Sequence, residues 1–449
     1  GSCNVAMGFC ALAANTTCHC NTAVGSFALC KNTTGMNTAV GQHAGFGNTS
    51  GYSNIYMGHL TGCCNSNGYQ NVFLGAQAGR NIAASVNDVV MIGYAAACNN
   101  ECSRTIAIGS SSLRCNTTGA CNLAIGYTAL FCNTTANHNT AVGTEAMYYN
   151  TEGCQNTALG KAMTKNCCGA NNVGVGYLAL DCNDNGSNNT VVGSQALNHN
   201  TTSNNTAMGY GAAYCSTGCQ NTAIGSLALR GTCTSSGTKN VAVGYTALCK
   251  VTTGALNVAV GANALKCNTS SCSSTAIGYN SLTVADAPSN TAVGKDSMES
   301  NTSGNNNTAV GADALAANTT ACNNVAMGKS ALAANTTGYD NVAIGSCALD
   351  ANNANDNTAV GRNALGANTS GCRNTALGYA TLDANTTASN NTAVGHIALS
   401  TNTEGTQNVA LGYSALYCNL CGGYNTAVGN CALYANSNAE QNTAVGYDA

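Results

Sequence analysis

Tryptophan is absent from the 449 residues, Pro288 is the single proline, phenylalanine occurs five times, and Asp, Glu, Lys and Arg together make up 7%. Without large aromatics the chain cannot build the thick cores of the two or three globular domains that its length would otherwise suggest. Low charge combined with 44% apolar residues excludes a disordered chain, which needs high charge and few apolar side chains. Burial must therefore be achieved with small side chains in thin layers. A net charge of −3 gives no basic patch, which makes nucleic acid a poor partner, and none is expected. No apolar run reaches about eighteen residues, so no membrane insertion is expected, and no signal-peptide pattern opens the chain. The chain starts inside a repeat at "GSCNVAMG" and stops inside one at "NTAVGYDA", which suggests an excerpt or mature shaft without its anchor.

What is present is one unit, used over and over. The motif-closing glycines run Gly8, Gly25, Gly41, Gly58, Gly75, Gly93, Gly109, Gly126 and onward to Gly446, giving 27 copies spaced mostly by 17 residues, often by 16 and rarely by 18 or 19. Each unit is N-[T/aliphatic]-A-[V/I/L/M]-G-x-x-A-L followed by a polar turn, usually with N-T-T or N-T-S. Two short extended segments fit such a unit, each too short for a helix. A single unit cannot bury its own apolar face, whereas stacked units can, with strands pairing between coils about 4.8 Å apart. The expectation is an all-β protein, a parallel β-solenoid of about 27 coils forming a rod roughly 130 Å long. It is taken as a single continuous repeat domain over 1–449, with irregular coils at about 42–104 and a loop insertion, "RGTCTSSGTK", at about 230–239.

Alternation across a strand decides which columns face inward. The Ile125 column is never polar, and the Ala124 column is Ala in 22 of 27 copies. Tyr56, Phe73 and Met91 interrupt the Ala column in three consecutive coils, where the Leu six residues later becomes Gly62, Gly79 and Ala97. Such volume trading is what a close-packed interior demands, so the Ala and Leu columns share one interior. The Val/Ile/Leu/Met column then lies on the outer face as a continuous apolar stripe, the kind of patch that marks an interface. Lateral association of identical chains follows, most simply three around an axis. The opposite arrangement, with aliphatics inside and Ala outside, is the competing one. The strand Asn (as Asn122) and the turn Asn (as Asn116 and Asn133) are expected to bond along their own columns. The closing Gly suits a corner with φ > 0 or close backbone approach.

The strings "NTAVG", "GYTAL" and "NTTG" resemble the repeats of phage tail-fibre proteins, and are similar to the N-S-V-A-I-G head repeats of trimeric autotransporter adhesins. The resemblance covers essentially the whole chain. It implies a homotrimeric, left-handed parallel β-roll on a cell or virion surface, extracellular, contacting a glycan or other host-surface receptor. The repeat here is longer than in the adhesin heads and far richer in cysteine.

The 28 cysteines fall into few columns. Cys98, Cys115, Cys132, Cys182, Cys215, Cys267 and Cys418 follow the Leu position; Cys121, Cys154, Cys219, Cys272, Cys322 and Cys372 precede the next repeat. Cys115/Cys121, Cys215/Cys219 and Cys267/Cys272 bracket single turns, and Cys98, Cys115 and Cys132 are expected to stack on consecutive coils. With coils about 4.8 Å apart, these positions and the "CNLC" pair Cys418/Cys421 are disulfide candidates. Cys322 and Cys372 are either free or link chains. The "CHC" at 18–20 and the "CC" pairs at 63–64 and 167–168 invite a metal, but no four-ligand set recurs, and no cofactor is expected. N-x-[ST] sequons at Asn15, Asn32, Asn116, Asn133, Asn200, Asn268, Asn318, Asn335, Asn368 and Asn385 are either glycan acceptors or simply good turn residues. Tyr follows the closing Gly in nine coils, among them Tyr127, Tyr177, Tyr210, Tyr245, Tyr379 and Tyr413. These aromatics either bind a surface such as sugar or shield a corner.

Chemistry finds little purchase. A glycosidase needs two carboxylates at a fixed separation, and the nearest acidic groups, Asp181/Asp184 and Asp296/Glu299, sit in turns or near corners. No triad order, phosphate loop or zinc motif occurs. The chain is expected to be no enzyme but a stiff structural shaft or adhesive surface fibre. The alternatives are a secreted filament-forming glycoprotein or an ice-binding solenoid, the latter weakened because the strand Thr column becomes Val, Ile or Leu in twelve coils.

Overall fold

The computed structural model describes residues 1–232 and 235–449. The coils fall into two compact units, Gly1–Gln220 and Asn221–Ala449. The first carries thirteen strands, from β1 (Val5–Met7) through β8 (Leu123–Ile125), β9 (Thr140–Val142), β10 (Thr157–Leu159) and β11 (Val173–Val175) to β13 (Thr206–Met208). The second carries fourteen, from β14 (Thr222–Ile224) to β27 (Thr443–Val445). Within each unit successive strands pair in parallel and in register: Leu123 lies against Thr140, Ala124 against Ala141 and Ile125 against Val142. The fold is a parallel β-solenoid with one three-residue strand per coil, and no helix occurs among the described residues. The 230–239 insertion lies partly outside them, at Cys233 and Thr234.

The sequence suggested two extended segments per coil, and the second is not a strand. The G-x-x-A-L arc is a chain of turns in which alternate non-glycine residues take left-handed backbone, as at Thr128 (φ 50°) and Leu130 (φ 50°). A third such residue, His138 (φ 58°), sits just before the next strand. This conformation costs roughly 1–2 kcal/mol per ordinary residue, yet it recurs coil after coil. It lets the arc curl tightly enough to bring Ala129 and Leu130 inward beside Ala124, all three fully buried. The core is therefore a thin layer of stacked Ala and Leu, as the composition required.

Tyr56, Phe73 and Met91 are fully buried in the Ala column. Tyr56 stacks on Phe73 with centroids 5.3 Å apart and planes 5° from parallel, and its hydroxyl accepts from Asn65 Nδ2 at 3.1 Å. A Cβ on Gly62 would lie 2.5 Å from the Tyr56 ring, and one on Gly79 would lie 2.6 Å from Phe73. The volume trade is real, and it extends one coil further: a Cβ on Gly45 would meet the same Tyr56 ring at 2.7 Å.

Two asparagine ladders tie the coils together. The strand Asn139 donates its amide to Asn122 Oδ1 at 2.9 Å, and the turn Asn133 donates Nδ2 to Asn116 Oδ1 at 2.6 Å. Both ladders converge on one turn carbonyl, since Ala136 O accepts from Asn122 Nδ2 at 2.8 Å and from Asn133 Nδ2 at 3.1 Å. These asparagines are almost completely buried, and burial without such partners would cost about 1–3 kcal/mol each. At the corner, Gly126 has φ +136°, and a Cβ there would sit 2.4 Å from the carbonyl oxygen of Gly143. Backbone stacks on backbone there, and only glycine fits.

Candidate interaction surface

With Ala turned inward, the strand presents its first and third residues outward. The third column is Val, Ile, Leu or Met in every copy. In the first unit Met208 is 43% exposed, and in the second Ile277 and Leu377 are 40% and 46% exposed. The neighbouring Thr/Val column is mostly half-buried. The outer sheet face of each unit is thus a ridge of aliphatics beside a mixed Thr and aliphatic row, held in register by the ladder. The arrangement with Ala outward is excluded.

The tyrosines after the closing glycines all stand in solvent, from 44% exposed at Tyr379 to 76% at Tyr447. Tyr379, His396 and Tyr413 form a stacked run with centroids 5.1 and 5.5 Å apart, because consecutive coils place the same column one above the next.

The sequon asparagines are where sequence expectation and structure part. Asn32, Asn116, Asn133, Asn200, Asn268, Asn318, Asn335, Asn368 and Asn385 are fully buried, and Asn15 is half-buried, donating to Cys18 O at 3.3 Å. A glycan attaches through Nδ2, the atom that in Asn385 donates to Asn368 Oδ1 at 2.8 Å and to Ala388 O at 3.0 Å. The folded coil has no room for sugar at these nine positions, so N-T-T there is turn chemistry.

The cysteines also depart from expectation. Every described cysteine except Cys215 carries a free thiol. Cys215 is disulfide-bonded, but Cys219 is free, so the Cys215–Cys219 staple is not formed. Cys115, Cys121, Cys132, Cys267, Cys272, Cys418 and Cys421 are likewise thiols. Cys115 and Cys132 share one column on successive coils, where Cβ atoms keep the coil spacing of about 4.8 Å, longer than the roughly 3.8 Å a disulfide prefers. Cys272, Cys322 and Cys372 instead point back at carbonyls two residues earlier. Cys98 does not share the column of Cys115 and Cys132: it directly follows Ala97, and its thiol lies against Arg114 O at 3.7 Å. Burial raises the thiol pKa values of Cys115 and Cys132, which keeps them protonated and poorly nucleophilic.

The remaining candidates are scattered. In the "CHC" stretch Cys18 donates to Thr33 O at 2.7 Å and His19 Nδ1 accepts from the Ser2 amide at 2.8 Å. Among the described residues no three metal-ligating side chains come together. Asp296 pairs with Lys295 at 2.7 Å, while Glu299 accepts from Asn280 Nδ2 at 3.4 Å. One pocket went unmarked in the sequence, at Tyr127, Glu145 and Tyr149. Its signal was a coil one residue short in its arc. Neither a family model nor a curated protein matches the chain.

Proposed function

We propose that the chain is a non-catalytic structural fibre segment that associates side by side with copies of itself, most simply as a trimer, at a cell or virion surface. The reading rests on the outer aliphatic column: it is apolar in every coil, and Ile277 and Leu377 stand 40% and 46% exposed. A soluble protein seldom leaves so long an apolar stripe in water, because burying it against a second copy recovers about 25 cal/mol per Å². The resemblance to tail-fibre and adhesin repeats points the same way, as does the shortage of paired carboxylates for glycan cleavage. Sedimentation velocity under native conditions tests it. A mass two or more times that of the chain is expected, and a monomer at all concentrations sinks the proposal.

An ice-binding role is the second reading, favoured by the in-register Thr275, Thr291 and Thr308 ladder on the same outer face. Thermal hysteresis separates the two: strong activity from the unassociated chain favours ice, and none favours the fibre.

A further inference from the structure

Coil 10 breaks the repeat in a way no neighbour does. From closing glycine to turn asparagine the neighbouring coils take seven steps, Gly126 to Asn133, Gly143 to Asn150 and Gly176 to Asn183, whereas Gly160 reaches Asn166 in six. The shortening falls in the outward arc, where K-A-M stands for x-x-A-L. Its mark is on the backbone: φ of Gly160 is 93°, against 140° at Gly143 and 130° at Gly176. Met163 is fully buried, and Gly174 replaces the usual Ala in the next coil, where a Cβ would lie 3.1 Å from Met163 Cγ. The missing residue also removes a donor. Ser110, Tyr127 and Lys161 carbonyls accept from the following coil at 3.0, 2.9 and 2.7 Å, while their counterpart at Thr144 has no such bond.

The deletion leaves a notch of about 300 Å³ lined by Tyr127, Thr128, Glu145, Tyr148, Tyr149 and Thr164. Tyr148 is clamped by stacking on Phe131, centroids 5.0 Å apart and planes 3° from parallel, and meets Tyr149 edge-on at 4.6 Å. Tyr127 and Tyr149 present open faces to solvent. Glu145 is held by Lys161 at 2.6 Å, which fixes its carboxylate and neutralises it. Thr164 Oγ1 is buried without a hydrogen-bond partner.

We infer that this notch is a binding site for a neutral pyranose sugar, independent of the self-association face. Aromatic faces pack the C–H surface of a sugar ring, and the lysine-held Glu145 carboxylate accepts from its hydroxyl groups. The pocket sits at the small end of ligand-site volumes, about 300 Å³ and upward, fitting one ring. A quaternary ammonium ion also favours aromatic cages, but here the notch carboxylate, Glu145, is already paired with Lys161, which leaves no free negative charge for a cation.

Saturation-transfer NMR of the full chain with methyl glucoside, methyl galactoside and N-acetylglucosamine tests the site, with tetramethylammonium in parallel. At least one sugar is expected to bind in the millimolar range. Tyr127→Ala and Tyr149→Ala should each weaken it by about tenfold or more, with circular dichroism unchanged. Inserting one Ala between Lys161 and Ala162 restores the seven-step arc and should abolish binding. Tyr245→Ala, outside the notch, should leave it unchanged. No sugar binding, binding of tetramethylammonium alone, or equal loss on Tyr245→Ala overturns the assignment.

Discussion

Asn268 shows how much each ladder asparagine depends on its neighbours. The same column holds Val251 in the coil before and Ala285 in the coil after, so neither Asn268 Nδ2 nor Oδ1 has a partner although the residue is fully buried. Asn133, between Asn116 and Asn150, is satisfied on both sides. Asn268→Val should therefore be neutral or stabilising, while Asn133→Val should cost about 1–3 kcal/mol by stranding the polar groups of its neighbours; urea unfolding of the two variants makes the comparison. At the corner, Gly126→Ala combines left-handed backbone with a Cβ driven into the next coil. A loss on the order of 3 kcal/mol or more is expected, with hydrogen exchange accelerating around coils 8 and 9. Glycine and asparagine announced these roles in the sequence. The left-handed leucines did not, because only Gly, Asn and Asp advertise that conformation.

At the scale of one coil, polar turns are closed by a side chain from the next coil. Asp286 accepts from the amides of Thr269, Ser270 and Ser271 at 3.2, 2.8 and 2.9 Å. In the equivalent position Asn353 accepts from the Thr336 and Thr337 amides at 3.1 and 2.9 Å. Burial pushes the Asp286 carboxyl up, but the hydrogen bonds together outweigh it and hold its pKa below the ordinary value. Its contribution is thus present above the unfolded Asp pKa of about 3.9 and is lost as pH falls through the lower folded value. Asp286→Asn keeps the acceptor, so its melting temperature should match the parent at pH 7 and exceed it near pH 2.5. The aromatic block behaves as a coupled element: Gly62→Ala alone should destabilise by crowding Tyr56, and Tyr56→Ala in the same chain should relieve part of that cost, a favourable coupling in a double-mutant cycle. Volume trading between Tyr56 and Gly62 was legible because both columns deviate in step. Gly45 was overlooked because its own strand keeps Ala39, and a column read one coil at a time hides a ring that reaches between coils.

For the molecule as a chain of coils, period and alternation were enough to assign the solenoid and its inward and outward faces, since every inference rested on 27 repeats of the same local choice. Features that depend on three-dimensional direction were not legible. Cysteine spacing suggested staples, but spacing does not fix where each Sγ points: Cys272, Cys322 and Cys372 turn back to carbonyls of their own turns. Sequons suggested glycans, but burial of Nδ2 is a property of the stacked turn. The central claim concerns the outer stripe, and light scattering on a variant carrying lysine at Ile277, Ile344 and Leu377 addresses it most directly. These side chains point away from the core, so the coils should keep their circular dichroism. The parent should scatter as a multimer and the lysine variant as a monomer. An unchanged multimer in the variant, or a monomeric parent, would contradict the account.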